Sequence, residues 1–229
     1  MYTLHIANKN YSSWSLRPCI LLRQLGIAFD EEVHPFQADL QAQREQFLAF
    51  SPSAKVPVLQ DGQTVIWDSL AIAEYLAEEH AAVWPDDRAA RAWARAASCE
   101  MHSGFSHLRE RCTMNCAVRA RPQTVTPQLQ ADIERINTLF NQDLSRFGGP
   151  FLGGAAFTAV DAMYAPGVFR IQTYDLPMQG AAADYVSQML ALPGMQQWYV
   201  QALQERDIDQ AHEQDVERYS DIISDERQK

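Results

Sequence analysis

The chain has 229 residues, of which 47% are hydrophobic and 21% charged, as is typical of a folded globular protein. Its 29 acidic and 19 basic residues give a formal net charge of −10, which disfavours binding to nucleic acid or to an anionic membrane. No apolar run approaches the ~20 residues of a membrane span, and no basic region with an apolar stretch marks the start as a secretory signal. We therefore expect a cytoplasmic protein with neither a nucleic-acid nor a membrane partner.

The first 80 residues mix strand and helix patterns. Alternating apolar residues indicate strands, helical spacing indicates helices, and Asp61-Gly62 between two apolar runs predicts a hairpin. The predicted elements are a strand at 2–6, a helix from 16 to Gly26, a strand at 29–33, a helix at 43–50, strands at 56–59 and 65–67, and a helix from Ser69. The order is β-α-β-α-β-β-α.

The rest of the chain has helical patterns. The stretch Trp84-Pro85-Asp86-Asp87 interrupts the periodicity, so we predict domains at 1–80 and 88–229 joined by a linker at 81–87. Helices are predicted from Arg88 to about Met114, from Thr126-Pro127 as cap and first residue, from a capping box at Thr158 to Asp161, and on both sides of Pro193-Gly194. The charged tail after Asp207 is expected to fray. The fold class is α+β, a strand-containing domain followed by an all-helical domain.

The cysteines do not form a Cys-x-x-Cys motif, which disfavours a dithiol redox site. They are Cys19, Cys99, Cys112 and Cys116. Together with His102 and His107, the last three point in separate directions on a helix, so they offer no common ligand face. No metal is expected.

A polar loop lies between the first strand and the first helix: Asn10-Tyr11-Ser12-Ser13-Trp14-Ser15. One interpretation is structural, because a serine at this place can cap the helix. The alternative is that the loop binds a ligand, and this needs partners elsewhere in the chain.

Lys55-Val56-Pro57-Val58-Leu59 is the first such partner. Proline cannot donate to a strand ladder, so a cis Val56–Pro57 bond that turns the Val56 backbone outward is one reason for its position. The Val56 N–H and C=O could then pair with an extended peptide ligand. An ordinary edge proline is the alternative.

Asp68-Ser69 is the second partner, at the start of a helix directly after a strand. Free N–H groups and the helix dipole favour an anion there. Asp68 can equally be a simple helix cap.

The joint spacing of these motifs resembles the glutathione transferase family, over nearly the whole chain. The motifs on which this resemblance rests are Ser12-Ser13 before the first helix, Val56-Pro57 before the hairpin and Asp68-Ser69 before the third helix. The segment 100–105, Glu-Met-His-Ser-Gly-Phe, resembles a group of bacterial members. The stretch from Ser12 to Ser15 is similar to the zeta-class pattern Ser-Ser-Cys-Ser, with Trp14 in place of the cysteine.

The resemblance implies a thioredoxin-like first domain that binds glutathione and a helical second domain that contributes the electrophile site. Val56, with Pro57 cis, would pair with the cysteinyl part of glutathione, and Lys55 could reach a carboxylate. Asp68 and Ser69 would hold the γ-glutamyl ammonium and carboxylate.

The same resemblance implies that Ser12 donates its hydroxyl to the glutathione sulfur, with the amides of Ser13 and Trp14 nearby. Tyr11, Ser13 and Ser15 remain alternative donors. The implied activity is attack of the thiolate on a small hydrophobic electrophile, by a homodimer that serves detoxification. The alternatives are a glutathione-dependent cis-trans isomerase of the maleylacetoacetate isomerase type and a noncatalytic module that binds small ligands or proteins.

Overall fold

The computed structural model describes residues 1–227 of the chain, and its first part has seven elements in the predicted order. They are β1 (Tyr2–Ile6), α1 (Ser13–Gln24), β2 (Phe29–Val33), α2 (Leu40–Leu48), β3 (Val58–Asp61), β4 (Thr64–Trp67) and α3 (Ser69–Ala77). The expected β-α-β-α-β-β-α arrangement is confirmed. Helix α2 begins three residues before its predicted start because Asp39 caps it, accepting the N–H of Gln41 at 2.9 Å.

The four strands form one mixed sheet in the order β2-β1-β3-β4. Strand β1 pairs with β2 in parallel and with β3 antiparallel, and β3 and β4 form the predicted hairpin. The hairpin turn contains Gly62 with φ of +57°, a conformation that glycine adopts without strain.

The second part of the chain consists mainly of helices, as expected. Its elements are α4 (Arg88–Ser103), α5 (Ser106–Arg111), β5 (Val118–Pro122), α6 (Pro127–Phe147), α7 (Ala159–Tyr174), α8 (Ala181–Ala191), α9 (Pro193–Gln204), α10 (Gln210–Tyr219) and β6 (Ser220–Asp225). A 3₁₀ turn, Ala81–Val83, lies in the stretch where we predict the linker. The predicted end of the helical domain, residues 228 and 229, lies outside the described residues.

Helix α7 is the centre of the helical part. Every one of its residues except Gln172 is buried, as expected of a helix with neighbours on all sides. Asp161 in its first turn accepts the backbone N–H of Thr158 at 2.9 Å, as the predicted capping box requires. Helix α7 packs against α1 of the first domain, so one central helix supports both domains.

The single helix predicted from Arg88 to about Met114 is wrong. The chain breaks after Ser103, where a side chain at Gly104 would lie 2.7 Å from the Glu100 carbonyl oxygen. Phe105 then takes a left-handed conformation with φ of +57° before α5 begins. Gly104 ends the helix in an extended conformation, with φ of −102° and ψ of −164°, at a place where a larger side chain would collide with the Glu100 carbonyl.

The expectation that the tail after Asp207 frays is also wrong. The tail forms α10, which Asp209 caps by accepting the His212 N–H at 3.0 Å, and then β6, which pairs antiparallel with β5. The helical part therefore contains a two-stranded ribbon that the sequence did not predict. Arg227, the last described residue, pairs with Glu213 and Asp225.

Among residues 1–227, no helix combines the length and the apolar character needed to cross a bilayer.

Candidate functional site

Six residues expected to bind glutathione surround one pocket of about 400 Å³, which we call the hairpin pocket. It lies at the start of the β3–β4 hairpin and of α3. Its lining consists of Trp14, Ser53, Lys55, Val56, Pro57, Trp67, Asp68 and Ser69. Residues from three separate stretches of the sequence therefore meet around one cavity.

The Val56–Pro57 peptide bond is cis, as predicted. The paired residues of β3 begin at Val58, opposite His5 of β1. The peptide groups of Val56 therefore lie just outside the ladder, at the mouth of the hairpin pocket.

Asp68 caps α3, as the interpretation of this residue as a helix cap predicts. Its Oδ1 accepts the N–H of Leu70 at 2.8 Å, and its φ is +77°. Its other oxygen lies 3.3 Å from His102 Nε2, so it also links the two parts of the chain. Ser69 is buried, and its hydroxyl accepts from Arg17 Nη1 at 3.4 Å.

The second cavity, of about 290 Å³, is the interdomain pocket. It contains the candidate sulfur donors Tyr11, Ser12 and Ser13 but not Ser15, and Trp14 belongs to the lining of both pockets. Its lining is Tyr11, Ser12, Ser13, Trp14, Phe36, Arg109, Thr113, Met114, Arg170, His212 and Asp215.

Ser12 precedes α1 but its side chain makes no capping hydrogen bond, so the structural interpretation of this serine is wrong. Its hydroxyl donates instead to Ser15 Oγ at 2.7 Å. The backbone N–H of Ser13 donates to the carbonyl of Tyr11 at 2.9 Å. Ser12 therefore places a hydroxyl at the start of α1 that is bonded to the side chain of Ser15 and not to a backbone N–H of the helix.

The hydroxyl of Tyr11 is held by the carboxyl-terminal helix. It donates to Glu213 Oε1 at 2.6 Å, and its ring stacks on His212, which also stacks on Phe36. Burial and the bond to Glu213 raise the pKa of Tyr11 far above its ordinary value. The expectation of a frayed tail provides no reason to place His212 and Glu213 at this site.

Three arginines surround Trp14 and the interdomain pocket. The guanidinium of Arg17 lies 4.1 Å from the Trp14 ring centre, and that of Arg109 lies 4.9 Å from it. Arg109 donates to the backbone carbonyl of Met101, and Arg170 Nε donates to that of Cys112 at 2.9 Å.

Within the described chain, none of the three arginines has a carboxylate oxygen within 4.0 Å of a guanidinium nitrogen. Burial lowers the pKa of all three guanidinium groups. The positive charge of nearby Arg109 lowers the pKa of Arg170 further, to about 10. With a pKa of about 10, Arg170 remains charged at neutral pH. The arginines come from α1, α5 and α7, and no spacing in the sequence indicates that they meet.

Comparison with known proteins gives a family match in the first part of the chain. The sequence model described as "Glutathione S-transferase, N-terminal domain" matches residues 11–79. The chain is 35% identical to dichloromethane dehalogenase from Methylophilus leisingeri over 68 residues, 28% of this chain and 26% of that protein. It thus matches only about a quarter of that relative.

Two further relatives extend over more of the chain. Glutathione S-transferase 3 of Zea mays is 26% identical over 159 residues, which cover 66% of this chain and 70% of the maize protein. A solved glutathione transferase homologue from Burkholderia gl BGR1, with bound glutathione, has 24% identity and a TM-score of 0.64. The superposition covers 88% of this chain and 97% of that one, which shows that the fold is shared.

Proposed function

Because residues 11–79 match the glutathione S-transferase N-terminal domain and the fold is shared with a glutathione transferase homologue, we propose that the chain is a glutathione transferase that binds glutathione and activates its sulfur for attack on an electrophile. The observation that carries this proposal is the hairpin pocket. The Val56-Pro57 and Asp68-Ser69 motifs line it together with Trp14, which also lines the interdomain pocket that contains Ser12.

In this proposal the tripeptide lies along the hairpin pocket. The N–H and C=O of Val56 pair with the cysteinyl backbone, and Pro57 holds Val56 in place. Asp68 and Ser69 bind the γ-glutamyl ammonium and carboxylate at the start of α3, where the helix dipole favours the anion. Arg17, directly behind Ser69, adds positive charge on the carboxylate side, and Lys55 at the pocket wall is placed for another carboxylate.

The sulfur is activated by stabilisation of the thiolate rather than by a general base. A free thiol has a pKa of about 8.5, and lowering it by ~2 units requires roughly 3 kcal/mol. A hydrogen bond to a charged acceptor supplies about 1.5–3 kcal/mol, and a helix N-terminus about 0.3–1 kcal/mol. Ser12 and the start of α1 therefore suffice.

Ser12 is the best supported of the candidate donors. The Tyr11 hydroxyl is already donated to Glu213, Ser15 is completely buried, and the resemblance to the Ser-Ser-Cys-Ser pattern favours Ser12 over Ser13. The Ser12 hydroxyl has a serine partner that can reverse the direction of their bond.

The electrophile occupies the interdomain pocket, which adjoins the sulfur position. Apolar contact is available from Phe36 and Met114, and cationic groups from Arg109 and Arg170. Guanidinium groups pair strongly with carboxylates, and these two lack such a partner. We therefore extend the expected class of small hydrophobic electrophiles to those that carry a carboxylate.

The same two guanidiniums favour a second candidate activity, glutathione-dependent isomerisation of an unsaturated carboxylate. The sulfur would add to a double bond, the remaining single bond would rotate, and the sulfur would leave. Product analysis separates the two activities, because conjugation consumes glutathione and isomerisation does not.

A homodimer, a cytoplasmic location and a role in detoxification belong to the same proposal by family resemblance. Light scattering on the purified chain tests the dimer directly, and a monomeric mass would exclude it.

The thiolate absorbance of bound glutathione tests the central step. Titrating the complex against pH should give a thiol pKa about 2 units below that of free glutathione. S-methylglutathione, which has no ionisable thiol, is the matched control ligand. Binding without a lowered thiol pKa contradicts the mechanism, and absence of any glutathione binding in calorimetry favours the noncatalytic module.

A further inference from the structure

Two histidines and a glutamate meet on one face of the sheet, at the end of β1 and β2. His5 of β1 lies opposite Glu32 of β2 in the parallel register. His34 follows Glu32 by two residues, and its N–H donates to the Ile6 carbonyl at 2.8 Å, which continues the pairing. Because side chains alternate along a strand, Glu32 and His34 point to the same face.

The potential ligand atoms of these residues face one another. His5 Nδ1 lies 3.0 Å from His34 Nε2 and 3.3 Å from a carboxylate oxygen of Glu32. The same oxygen lies 3.8 Å from His34 Nε2. A tetrahedral zinc ion with bonds of about 2.0–2.1 Å has ligand atoms about 3.3 Å apart, close to the mean of these three separations.

The neighbouring residues hold both imidazoles in place. Phe50 stacks on His5 with ring centres 4.6 Å apart and on His34 with centres 4.2 Å apart. Gln60 Oε1 lies 3.5 Å from the outer nitrogen of His5, on the side away from the other two residues. Such an acceptor on the far ring nitrogen is the usual support of a metal-ligating histidine.

A hydrogen bond between two neutral imidazoles accounts for only one of the three contacts. One proton can bridge His5 Nδ1 and His34 Nε2, but both atoms also face the Glu32 carboxylate. When the proton of neutral His5 lies on Nε2, directed at Gln60 Oε1, the Nδ1 lone pair faces the Glu32 carboxylate, which is unfavourable unless a proton or a metal cation lies between them. A divalent ion satisfies all three atoms at once.

We propose that His5, Glu32 and His34 bind one Zn²⁺ ion through His5 Nδ1, His34 Nε2 and a Glu32 carboxylate oxygen. Two nitrogen ligands and one oxygen suit zinc, whereas calcium and magnesium prefer oxygen ligands. The Glu32 side chain is 56% exposed, so the fourth position opens to water. The site lies outside both pockets and does not depend on the proposed transferase chemistry.

The test is calorimetric titration of ZnCl₂ into the untagged, chelator-treated chain without glutathione. All proteins carry Cys99→Ser, because Cys99 is an exposed thiol that could bind zinc. We expect one ion per chain. His34→Gln and Glu32→Gln should each raise the Kd for Zn²⁺ at least about tenfold, and Gln60→Ala should raise it less.

His107→Gln is the matched control, a histidine substitution outside the cluster, and it should leave the Kd unchanged. Circular dichroism establishes that each variant is folded. Co²⁺ in place of Zn²⁺ gives a second measurement, a visible absorption band that His34→Gln should remove. Failure of the parent chain to bind Zn²⁺, or equal Kd values for parent, His34→Gln and Glu32→Gln, overturns the proposal.

Discussion

The hydroxyl of Ser12 donates to the hydroxyl of Ser15 across 2.7 Å at the start of α1. Ser15 is completely buried, and its oxygen also accepts the N–H of Ala7 at 3.2 Å. A hydroxyl hydrogen rotates to suit its partners. When a thiolate faces Ser12, the Ser15 proton can turn to Ser12 Oγ and free the Ser12 proton for the sulfur. Ser15 is thus placed to position the donor without touching the substrate.

Replacing Ser12 by alanine should raise the pKa of the bound thiol by about 1–2 units, because one hydrogen bond to the thiolate is worth about 1.5–3 kcal/mol. The thiolate absorbance of the glutathione complex, titrated against pH, measures this change. Ser13→Ala is the control and should leave the thiol pKa near that of the parent chain. The reverse pattern, with Ser13→Ala raising the pKa and Ser12→Ala silent, would show that the donor is wrongly assigned.

Replacing Ser15 by alanine should raise the thiol pKa less than Ser12→Ala does, since the donor remains but loses its orientation. The Ala7 N–H also loses its buried acceptor, which should cost about 1–3 kcal/mol in the free energy of unfolding. Urea denaturation measures the second effect and the thiolate titration the first. A stability loss with an unchanged thiol pKa would reduce Ser15 to a purely structural role.

Replacing Tyr11 by phenylalanine should leave the thiol pKa unchanged, because the Tyr11 hydroxyl donates to Glu213 and burial keeps it protonated. The loss is instead one of stability, of about 1 kcal/mol, since Glu213 keeps its contacts with Arg227 and Asn115. Glu213→Gln is a comparison variant that alters the acceptor of the same Tyr11–Glu213 hydrogen bond. A raised thiol pKa in Tyr11→Phe alone would make Tyr11 the donor.

The order of the first domain could be predicted because its signals are local. Alternation at Tyr2–Ile6, the Asp61-Gly62 turn and the Asp68 cap each depend on residues close in sequence, and the structure contains all three. The hairpin pocket was also predictable in part. The family resemblance supplied the joint spacing that the separate motifs lacked.

The interdomain pocket could not be predicted, because its groups meet only through tertiary packing. Arg109 and Arg170 come from separate helices, and His212 comes from a tail whose charged composition resembles a frayed end. The break at Gly104 is different, because a glycine is a local signal for a helix end. The prediction of one helix from Arg88 to about Met114 did not take this glycine into account. Glu32 and His34 are two residues apart, so the sequence alone places them on one face of a strand. That His5 lies beside them follows only from the parallel register of β1 and β2.

Replacing Arg109 by glutamine should lower kcat/KM for an electrophile that carries a carboxylate, but leave kcat/KM for its methyl ester unchanged. A charge-assisted hydrogen bond is worth about 1.5–3 kcal/mol, so kcat/KM for the acid should fall about 10- to 100-fold. The ratio of kcat/KM for acid and ester is the measurement. Arg44→Gln, an exposed arginine outside the pocket, is the matched control. Equal losses for acid and ester would exclude carboxylate recognition by Arg109.

Asp161 should make the folded protein less stable as the pH rises from about 4 to about 6. Burial raises the pKa of its carboxyl to about 6, although Leu152 N–H and Tyr185 hydroxyl both donate to it. The unfolded chain releases this proton near pH 3.9, so between the two values the folded chain holds more protons and its free energy of unfolding falls with pH. Two units correspond to about 3 kcal/mol.

The Asp161→Asn variant isolates this effect, because asparagine has a similar shape and does not titrate. Its amide faces the Thr158 N–H, so a constant loss of about 1–3 kcal/mol is expected at every pH. The free energy of unfolding of the parent chain minus that of the variant should therefore fall from pH 4 to pH 6 and level off above pH 7. Urea denaturation over this range provides the values. A difference that rises with pH would mean that the folded state prefers the ionised carboxylate, with its hydrogen bonds outweighing its burial.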